Sequence, residues 1–462
     1  MERKPPPTGP IRRCVWVVVT LALTAPARGL TLEESFTRAI EVSPQIVSAR
    51  RALEASREGI AVARGLSWRP QVSASVGYNR GELRAVERDR AAAGQIDSLA
   101  TERYAGTSVG LTSTLYLYRG GRTEAEIGIA GTSAEQAAIR VLAAEQAVLD
   151  AVLGAYVQAE AAERRLALLR DETAALRRIE AAYADMLRRG LISSADYHSV
   201  VAQRRSAEAE LAQAESDRLS GIEQLTALLR TPVGSRLTAP DLSRHIRGGL
   251  PELERQLLEK NPDIAIARRE VEAQRHQVAL AIGQVLPTVS LSAGISYQLT
   301  QEREGGTATS PYGPYTADSR DTNWNVGVNL SIPLYAGGAN IARISQARRN
   351  LQSAEAALSA QILSSRNPLA AAWEARQAAL KRLQMERARA GDLRTVVDGL
   401  ERGVRDGTRT VQDMLRARLD LLASRSSQLQ LRASAVQTEG RILALTGRLN
   451  AAGLGLAPAA GR

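Results

Sequence analysis

Apolar and polar residues alternate in four short stretches of the chain, and this period of two predicts β-strands. The stretches form two pairs, at 72–78 with 108–115 and at 289–297 with 324–332. One face of each carries Val, Leu, Ile, Tyr or Trp, and the other carries Ser, Thr, Gly or Asn. The polar segments 79–103 and 298–322 inside the pairs are predicted to be loops. Such strands fit a soluble sandwich, or a membrane barrel whose apolar face contacts lipid and whose polar face contacts water.

The chain carries one pattern twice, at a constant offset of 217 residues. Gly190 and Asp196 recur as Gly407 and Asp413. A second motif behaves in the same way, with Tyr118, Gly120 and Gly121 recurring as Tyr335, Gly337 and Gly338. A register held this far indicates two copies of one structural unit. The predicted organisation is a signal peptide at 1–27, repeat 1 at 28–232, an equatorial connector at 233–250, repeat 2 at 251–449 and a flexible tail at 450–462.

Amphipathic segments with a period near 3.6 lie between the strands and predict α-helices. Residues 31–66 and 251–283 precede the two strand pairs, and Thr31 is a candidate N-cap. Residues 122–188 contain no proline and would form a helix of roughly 100 Å if continuous. The long helix of each repeat is predicted to meet a second helix, at 195–230 and at 410–447. Each repeat therefore holds one helix, two strands and one long helical hairpin.

Apolar and small residues recur along both long helices at alternating spacings of four and three, which is the heptad pattern of packed helices. In the first repeat these residues are Val148, Val152, Ala155, Ala159, Ala162, Leu166, Leu169, Thr173, Leu176, Glu180, Tyr183 and Leu187. In the second they are Leu369, Ala372, Ala379, Leu383, Ala390, Leu393, Val397, Leu400 and Val404. Pro368 lies inside the second long helix, and its missing N–H is expected to kink or break that helix.

The first residues have the features of a secretory signal peptide. Four basic residues precede an apolar run at 15–23 that is too short to cross a membrane. A small-x-small site ends at Ala27, so the mature chain is expected to begin at Arg28, although an N-terminal anchor is the alternative. The single cysteine, Cys14, lies in this segment, which leaves the mature chain without thiol chemistry. An exported protein of this kind is periplasmic, secreted, or an outer-membrane β protein.

Composition argues against several function classes. The formal charge of +11 comes from arginines scattered beside acidic residues, and only 3% of residues are aromatic, so no nucleic-acid partner is predicted. The histidines, His198, His245 and His276, lie far apart and none has a second metal ligand at helical spacing. Gly337-Gly338 lacks the Lys-Ser/Thr of a phosphate-binding loop. We therefore predict no enzyme activity, no metal and no cofactor.

Five motifs, in this order and spacing, resemble the TolC family of outer-membrane efflux proteins. They are Asn-Pro-Asp at 261–263, Leu-Pro-Thr-Val-Ser-Leu at 286–291, Trp-Asn-Val-Gly at 324–327, Pro-Leu-Tyr-Ala-Gly-Gly at 333–338 and Gly-Thr-Arg-Thr-Val-Gln-Asp at 407–413. The resemblance implies a mainly α fold with a membrane β-barrel portion, in which a homotrimer forms a 12-stranded barrel and an α-helical periplasmic tunnel. It implies an exit duct in the cell outer membrane that extends into the periplasm. The implied partners are outer-membrane lipid, a periplasmic adaptor (membrane fusion protein) and an inner-membrane pump.

The same resemblance implies a gate where the hairpins turn. Gly190 and Gly407 would close the two turns, Asp196 would pair with Arg409, and Asp413 would line the constriction. Arg416 stands where the family often has a second acidic residue, and at i+3 from Asp413 it can pair with that carboxylate. The alternative is that these are ordinary solvated charges at helix ends.

Two other classes of protein share long helical hairpins. A periplasmic adaptor has one hairpin flanked by lipoyl-like and β-rich modules, whereas this chain has two hairpins with paired strands outside them. A fibrous coiled-coil adhesin has no need for a duplicated polar-faced strand. An efflux or type I secretion channel, carrying small molecules or proteins, therefore fits the sequence better than a non-channel adaptor or adhesin.

Overall fold

The computed structural model describes residues 30–91, 94–234, 236–246, 248–306, 315–316 and 318–455. The predicted signal peptide, 1–27, lies outside these residues, as do 456–462 of the predicted tail. The described chain is mainly helical and carries one small antiparallel sheet. None of its described helices combines the length and apolarity required to cross a membrane.

The sheet is a meander built from the strands of both repeats. Its strands are β1 (Gln71–Ala91), β2 (Gly94–Tyr118), β3 (Thr288–Gly306), β4 (Tyr315–Thr316) and β5 (Ser319–Ser331). Strand β2 lies between β1 and β3, and β3 pairs on its other side with β5 and with the short β4. The predicted strand cores face each other across these ladders, with Val76 opposite Val109 and Ile295 opposite Trp324. Strands β1 and β5 are therefore the outer edges of the long-stranded part of the sheet.

The prediction of loops at 79–103 and 298–322 is wrong for much of both segments. Strands β1 and β2 pair as far as Ala91 and Gly94, and β3 continues to Gly306 before β5 begins at Ser319. Beyond Tyr78 the sequence is mostly polar, so the alternation that marks a half-buried strand disappears. The backbone ladder itself requires no apolar side chain, because it consists of N–H···O=C bonds between strands.

Eight α-helices and one 3₁₀ turn make up the rest of the described structure. They are α1 (Leu32–Val42), α2 (Pro44–Trp68), α3 (Arg122–Arg188), α4 (Ser194–Leu229), the 3₁₀ turn Ser243–His245, α5 (Leu250–Lys260), α6 (Pro262–Gly283), α7 (Ala339–Arg405) and α8 (Val411–Leu445). We refer to α3 with α4 as hairpin 1 and to α7 with α8 as hairpin 2.

The helical segments predicted at 31–66 and 251–283 are each interrupted once, whereas the amphipathic pattern predicted one continuous helix in each. The breaks fall at Ser43-Pro44 and Asn261-Pro262. Ser43 and Asn261 take extended conformations, with ψ of 121° and 125°. A proline ring disfavours the helical conformation of the preceding residue, so each proline begins a new helix instead of continuing the old one.

The long helices α3 and α7 contain 67 residues each, and α7 runs through Pro368 without interruption. The predicted break is therefore wrong, while the kink stays a prediction. Proline inside a helix costs about 3 kcal/mol or more. Packing around it offsets this cost, since Ser365, Leu369 and Ala372 are buried and Leu369 contacts the apolar side chains of α5, α6 and α8.

The predicted seams are buried in part, with nine of the twelve residues buried on α3 and five of the nine on α7. On α3 the buried seam residues are Val148, Val152, Ala155, Ala159, Leu166, Leu169, Thr173, Leu176 and Tyr183. On α7 they are Leu369, Ala372, Ala379, Leu383 and Val397. The seams pack α3 against α4 and α7 against α8, and α3 also packs against α8. The two hairpins therefore lie side by side.

The largest core lies at the end of the hairpins nearest the connector. Phe36, Tyr156 and Leu225 are fully buried there, and the Tyr156 hydroxyl accepts the Thr238 N–H at 3.0 Å and lies 2.7 Å from the Leu30 carbonyl oxygen. The first part of the predicted flexible tail also belongs to this core, because Leu454 packs into it. Residues as far as 455 are thus ordered by packing that a composition rich in Ala and Gly did not indicate.

Candidate functional site at the hairpin tips

Both hairpins turn at a glycine in the left-handed conformation. The φ angles of Gly190 and Gly407 are +70° and +71°, which L side chains rarely adopt. Leu191 N–H donates to the Met186 carbonyl at 2.9 Å, and Thr408 N–H donates to the Gly403 carbonyl at 2.8 Å. These six-residue loops satisfy carbonyls that a helix end leaves without partners. The turns therefore end α3 and α7 in the same way.

The helices that leave these turns begin with matching caps. Ser193 caps α4, since its hydroxyl accepts the Asp196 N–H at 3.1 Å and lies 2.7 Å from the Asp196 carboxylate. Thr410 caps α8, with 3.2 Å and 2.6 Å for the same contacts to Asp413. The repeated Gly-x5-Asp is therefore a complete turn, in which the glycine ends one helix and the Asp completes the cap of the next.

Neither ion pair expected at the tip forms within the single chain. Asp196 and Asp413 bond to their capping hydroxyls, and no carboxylate among the described residues makes an ion pair with Arg409 or Arg416. The Arg409 N–H donates to the Gly403 carbonyl at 3.2 Å instead. Asp413 and Arg416 likewise form no ion pair in the single chain, where the Asp413 carboxylate accepts a hydrogen bond from the Thr410 hydroxyl at 2.6 Å. A role for these four charges in a constriction between chains stays a prediction.

An apolar cluster joins the hairpins beneath the turns. Its buried members come from α3, α4 and α8 and are Leu176, Tyr183, Val200, Ala207, Val411, Met414 and Leu415. The hydroxyl of Tyr183 is buried with no hydrogen-bond partner. Burial raises the pKa of Tyr183, and the nearby carboxylates of Asp196 and Glu401 raise it further. The cluster thus encloses a phenol whose deprotonation is disfavoured by burial and by the carboxylates of Asp196 and Glu401.

On the side of this cluster away from the turns, Arg418 of α8 bonds to both hairpins. Its Nε and Nη2 atoms each lie 3.0 Å from a carboxylate oxygen of Glu172 on α3, and its Nη1 lies 2.6 Å from Glu401 on α7. Burial alone lowers the pKa of Arg418, but the contacts with Glu172 and Glu401 hold this pKa above its ordinary value. The guanidinium is therefore a permanent cation that is largely enclosed by two carboxylates.

Arg418 is not among the site residues predicted from the sequence. Val411, Met414, Leu415 and Leu422 recur at helical spacing on one side of α8, and Arg418 takes the position between them. A charge in such a stripe requires a partner, because an unpaired buried charge is costly. That signal could have identified Arg418, but the identity of its partners depends on how α3 and α7 pack.

A family comparison decides between the channel and the alternatives. The model of the family described as outer membrane efflux protein matches residues 36–230 and 253–448, one stretch in each repeat. The chain belongs to the outer membrane efflux protein family. The match confirms the resemblance found in the motifs, and with it the outer-membrane location. No group of His, Cys, Asp and Glu among the described residues is arranged to hold a metal ion.

Relatives with known roles match along both repeats. The outer membrane protein TolC of Vibrio cholerae is 26% identical over 320 residues, which cover 68% of this chain and 67% of that protein. The outer membrane efflux protein BepC of Brucella suis is 26% identical over 388 residues, covering 82% and 77%. The alkaline protease secretion protein AprF of Pseudomonas aeruginosa is 23% identical over 399 residues, covering 84% and 78%.

Solved structures share the fold. A membrane protein from Pseudomonas aeruginosa superimposes with a TM-score of 0.72 at 21% identity, over 90% of both chains. The open state of the MtrE outer membrane channel of Neisseria gonorrhoeae gives a TM-score of 0.67 at 17% identity, over 91% of this chain and 89% of that one. At these identities the similarity establishes the architecture of the chain.

Proposed function

We propose that the protein is the outer-membrane exit duct of a tripartite efflux system or a type I secretion system. The family match across both repeats carries this proposal, since it spans the strands and the hairpins together. In the chain, one end holds amphipathic strands suited to a membrane and the other holds hairpins whose tips are charged. Conduction from the periplasm to the exterior follows if the strands close into a pore and the helices continue it.

The sheet of one chain requires partners, which supports a homotrimer. The long strands are β1, β2, β3 and β5, and closed barrels need about eight. Both edges of this sheet are open in the single chain, and an unpaired edge is a template for another strand. Apolar side chains remain exposed on β1 and β5, including Val76 at 76% and Trp324 at 77%. Three chains joined edge to edge would supply twelve long strands and place these side chains against lipid.

The tip is the end that would meet a periplasmic adaptor and an inner-membrane pump. The relatives named above include one efflux protein and one secretion protein, so either kind of cargo is compatible with the fold. Three copies of each hairpin would gather the charges Asp196, Arg409, Asp413 and Arg416 around one axis. The non-channel adaptor and adhesin have no support in the comparisons.

The test combines assembly with conduction. The mature protein, extracted from outer membranes in a non-ionic detergent, is expected to be a trimer by native mass spectrometry and to form discrete channels in planar bilayers. Circular dichroism is expected to show mainly helix with a minority of strand. A monomer that produces no channel would contradict the proposal.

A further inference from the structure

Ion pairs between the four long helices lie almost entirely within one hairpin or the other. Hairpin 1 has three that join α3 to α4 at 3.1 Å or less, and hairpin 2 has two that join α7 to α8. They are Arg170–Glu215, Arg177–Glu208, Arg204–Glu180, Arg376–Glu439 and Arg418–Glu401. Across 122–229 and 339–445, all of which the structure describes, Arg418–Glu172 is the single contact ion pair that joins the hairpins to each other.

Another charge pair faces the same boundary without touching. Burial raises the pKa of Asp150 on α3, and Arg441 on α8 partly offsets that rise, but the two side chains form no ion pair. Such an interaction at a distance has little directional preference, unlike a bidentate contact. Arg418 is thus the place where the relative position of the hairpins is specified by hydrogen-bond geometry.

The contact of Arg418 with Glu172 and Glu401, called here the Arg418 bridge, lies close enough to the turns to influence the position of the tip. Arg418 follows the cap residue Thr410 by eight residues, or about 12 Å along α8. Its side chain is 14% exposed, and that of Glu172 is 18% exposed, so water competes weakly for these contacts. The apolar cluster between Arg418 and the turns resists separation of the helices but tolerates sliding, because dispersion contacts are non-directional. A buried, paired charge fixes register in packed helices.

We infer that Arg418 is a positioning residue that holds the two hairpins at one relative angle and thereby sets the closed position of the tip. Its guanidinium donates two hydrogen bonds to Glu172 and a third to Glu401, so one side chain links α8 to both α3 and α7. Rotation of hairpin 2 past hairpin 1 would break the pair with Glu172 before it disturbed any ion pair inside a hairpin. The effect on conduction rests on the proposed channel function, whereas the effect on hairpin geometry does not.

The test compares Arg418→Met with Arg376→Met. Arg376 is an equally enclosed arginine, also 14% exposed, but its pair with Glu439 stays inside hairpin 2. Spin labels at Leu191→Cys and Gln412→Cys, both at exposed positions next to the turns, report the distance between hairpins by double electron–electron resonance. The only native cysteine, Cys14, lies in the predicted signal peptide. Trimers carrying one labelled chain give the distance within a protomer.

Arg418→Met is expected to broaden and lengthen this distance, and to raise the open fraction of channels about tenfold, the change that 1.4 kcal/mol produces. Arg376→Met is expected to leave the distance and the open fraction unchanged, even if it lowers the melting temperature as much as Arg418→Met does. An unchanged distance in Arg418→Met, with the wild type conducting, would overturn the inference and leave the proposed function intact. If the wild type forms no channels but the distance still changes in Arg418→Met, the proposed function is overturned and the positioning role of Arg418 is kept.

A neutral variant separates bridging from repulsion. In Arg418→Met, the carboxylates of Glu172 and Glu401 are left facing each other, and their repulsion alone could part the hairpins. Arg418→Met/Glu172→Gln/Glu401→Gln removes these charges and is also the variant to use if the single substitution does not fold. The inference requires that the triple variant keep the broad distance. Recovery of the wild-type distance would show that the bridge itself positions nothing.

Discussion

Thr410 and Asp413 are joined by two hydrogen bonds at the start of α8. The Thr410 hydroxyl donates to the Asp413 carboxylate at 2.6 Å and accepts its backbone N–H at 3.2 Å. The side chain predicted to line a constriction is therefore part of a helix cap. A structural role and a conducting role for Asp413 are both compatible with this geometry, and substitutions can separate them.

Thr410→Ala removes the cap and keeps the charge, so it is expected to cost about 0.5–2 kcal/mol of stability and leave ion selectivity unchanged. Asp413→Asn keeps a side-chain acceptor for the hydroxyl and removes the charge. It is expected to reduce cation preference with little loss of stability. Melting temperature and reversal potential in bilayers measure the two effects. An unchanged reversal potential in Asp413→Asn would leave this residue with its capping role alone.

Arg409→Ser is expected to raise single-channel conductance. One exposed ion pair contributes only about 0–1 kcal/mol, but a threefold assembly repeats each contact three times. Arg402→Ser is the matched control, because it removes one exposed positive charge from the same region, where Arg402 bonds only to the Asp398 carbonyl of its own helix. Equal responses of both variants would mean that net charge, not a lock at Arg409, controls conductance.

Arg416→Asp is expected to shift selectivity toward cations. The substitution places a second carboxylate near Asp413 and repeats it around the proposed axis, which lowers the local potential. The measurement is the reversal potential in a potassium chloride gradient. If this variant and Arg409→Ser both behave as the wild type, the gate lies elsewhere in the protein.

Tyr183→Phe is expected to be neutral, or to stabilise the protein by up to about 1 kcal/mol, because the hydroxyl it removes is buried without a partner. Tyr156→Phe is the control. That hydroxyl accepts the Thr238 N–H and contacts the Leu30 carbonyl, so its loss is expected to cost about 1–3 kcal/mol. Thermal unfolding of both variants checks the contrast. A large loss in Tyr183→Phe would reveal a partner for its hydroxyl in the assembled protein.

Gly120 and Gly337 are equivalent glycines with φ of +62° and +60°, but they differ in crowding. A Cβ on Gly120 would lie 2.6 Å from the Leu286 Cβ, whereas one on Gly337 would meet no atom within 4 Å. Gly337→Ala is expected to cost about 1–2 kcal/mol from the left-handed backbone alone. Gly120→Ala is expected to cost more and to lower the yield of folded protein. Equal losses would show that Leu286 moves aside freely.

Glu252, at the start of α5, is expected to make the stability of the fold depend on pH in the acid range. Hydrogen bonds from Arg255 and Gln256 lower its pKa from 4.5 to about 2. A depressed pKa contributes stability above the unfolded value, and that stability is lost as the pH falls from about 4.5 toward 2. Glu252→Gln is therefore expected to flatten this part of the melting-temperature profile. Glu254→Gln, which removes one carboxylate from the same helix, is the control for the loss of charge.

The sequence predicted the helical architecture because its signals are local. The heptad spacing and the absence of proline gave the bounds of α3 at 122–188, and the glycine turns separated it from α4. The two helix breaks before Pro44 and Pro262 were also local signals, but the amphipathic period was followed across them. Strand length was not predictable in the same way, since pairing of polar strands leaves no periodic pattern in the side chains.

The Arg418 bridge shows the limit of sequence reasoning at the candidate site. Its three members come from α8, α3 and α7, and many other arginines and glutamates stand at similar spacings on these helices. Which carboxylates reach Arg418 depends on the rotation of each helix about its axis. Burial in the packed structure supplies that information, and spacing along the chain does not.

The two long helices of equal length differ in how much of them the chain itself buries. Twenty-one residues of α3 are buried, against six of α7. A substitution on α3 therefore mainly affects the folding of the chain that carries it. A substitution on most of α7 mainly affects contacts with another molecule, which in the proposed trimer is a neighbouring chain. Equivalent helices of the two repeats therefore meet different physical constraints, and their sequences are expected to vary to different extents among related proteins.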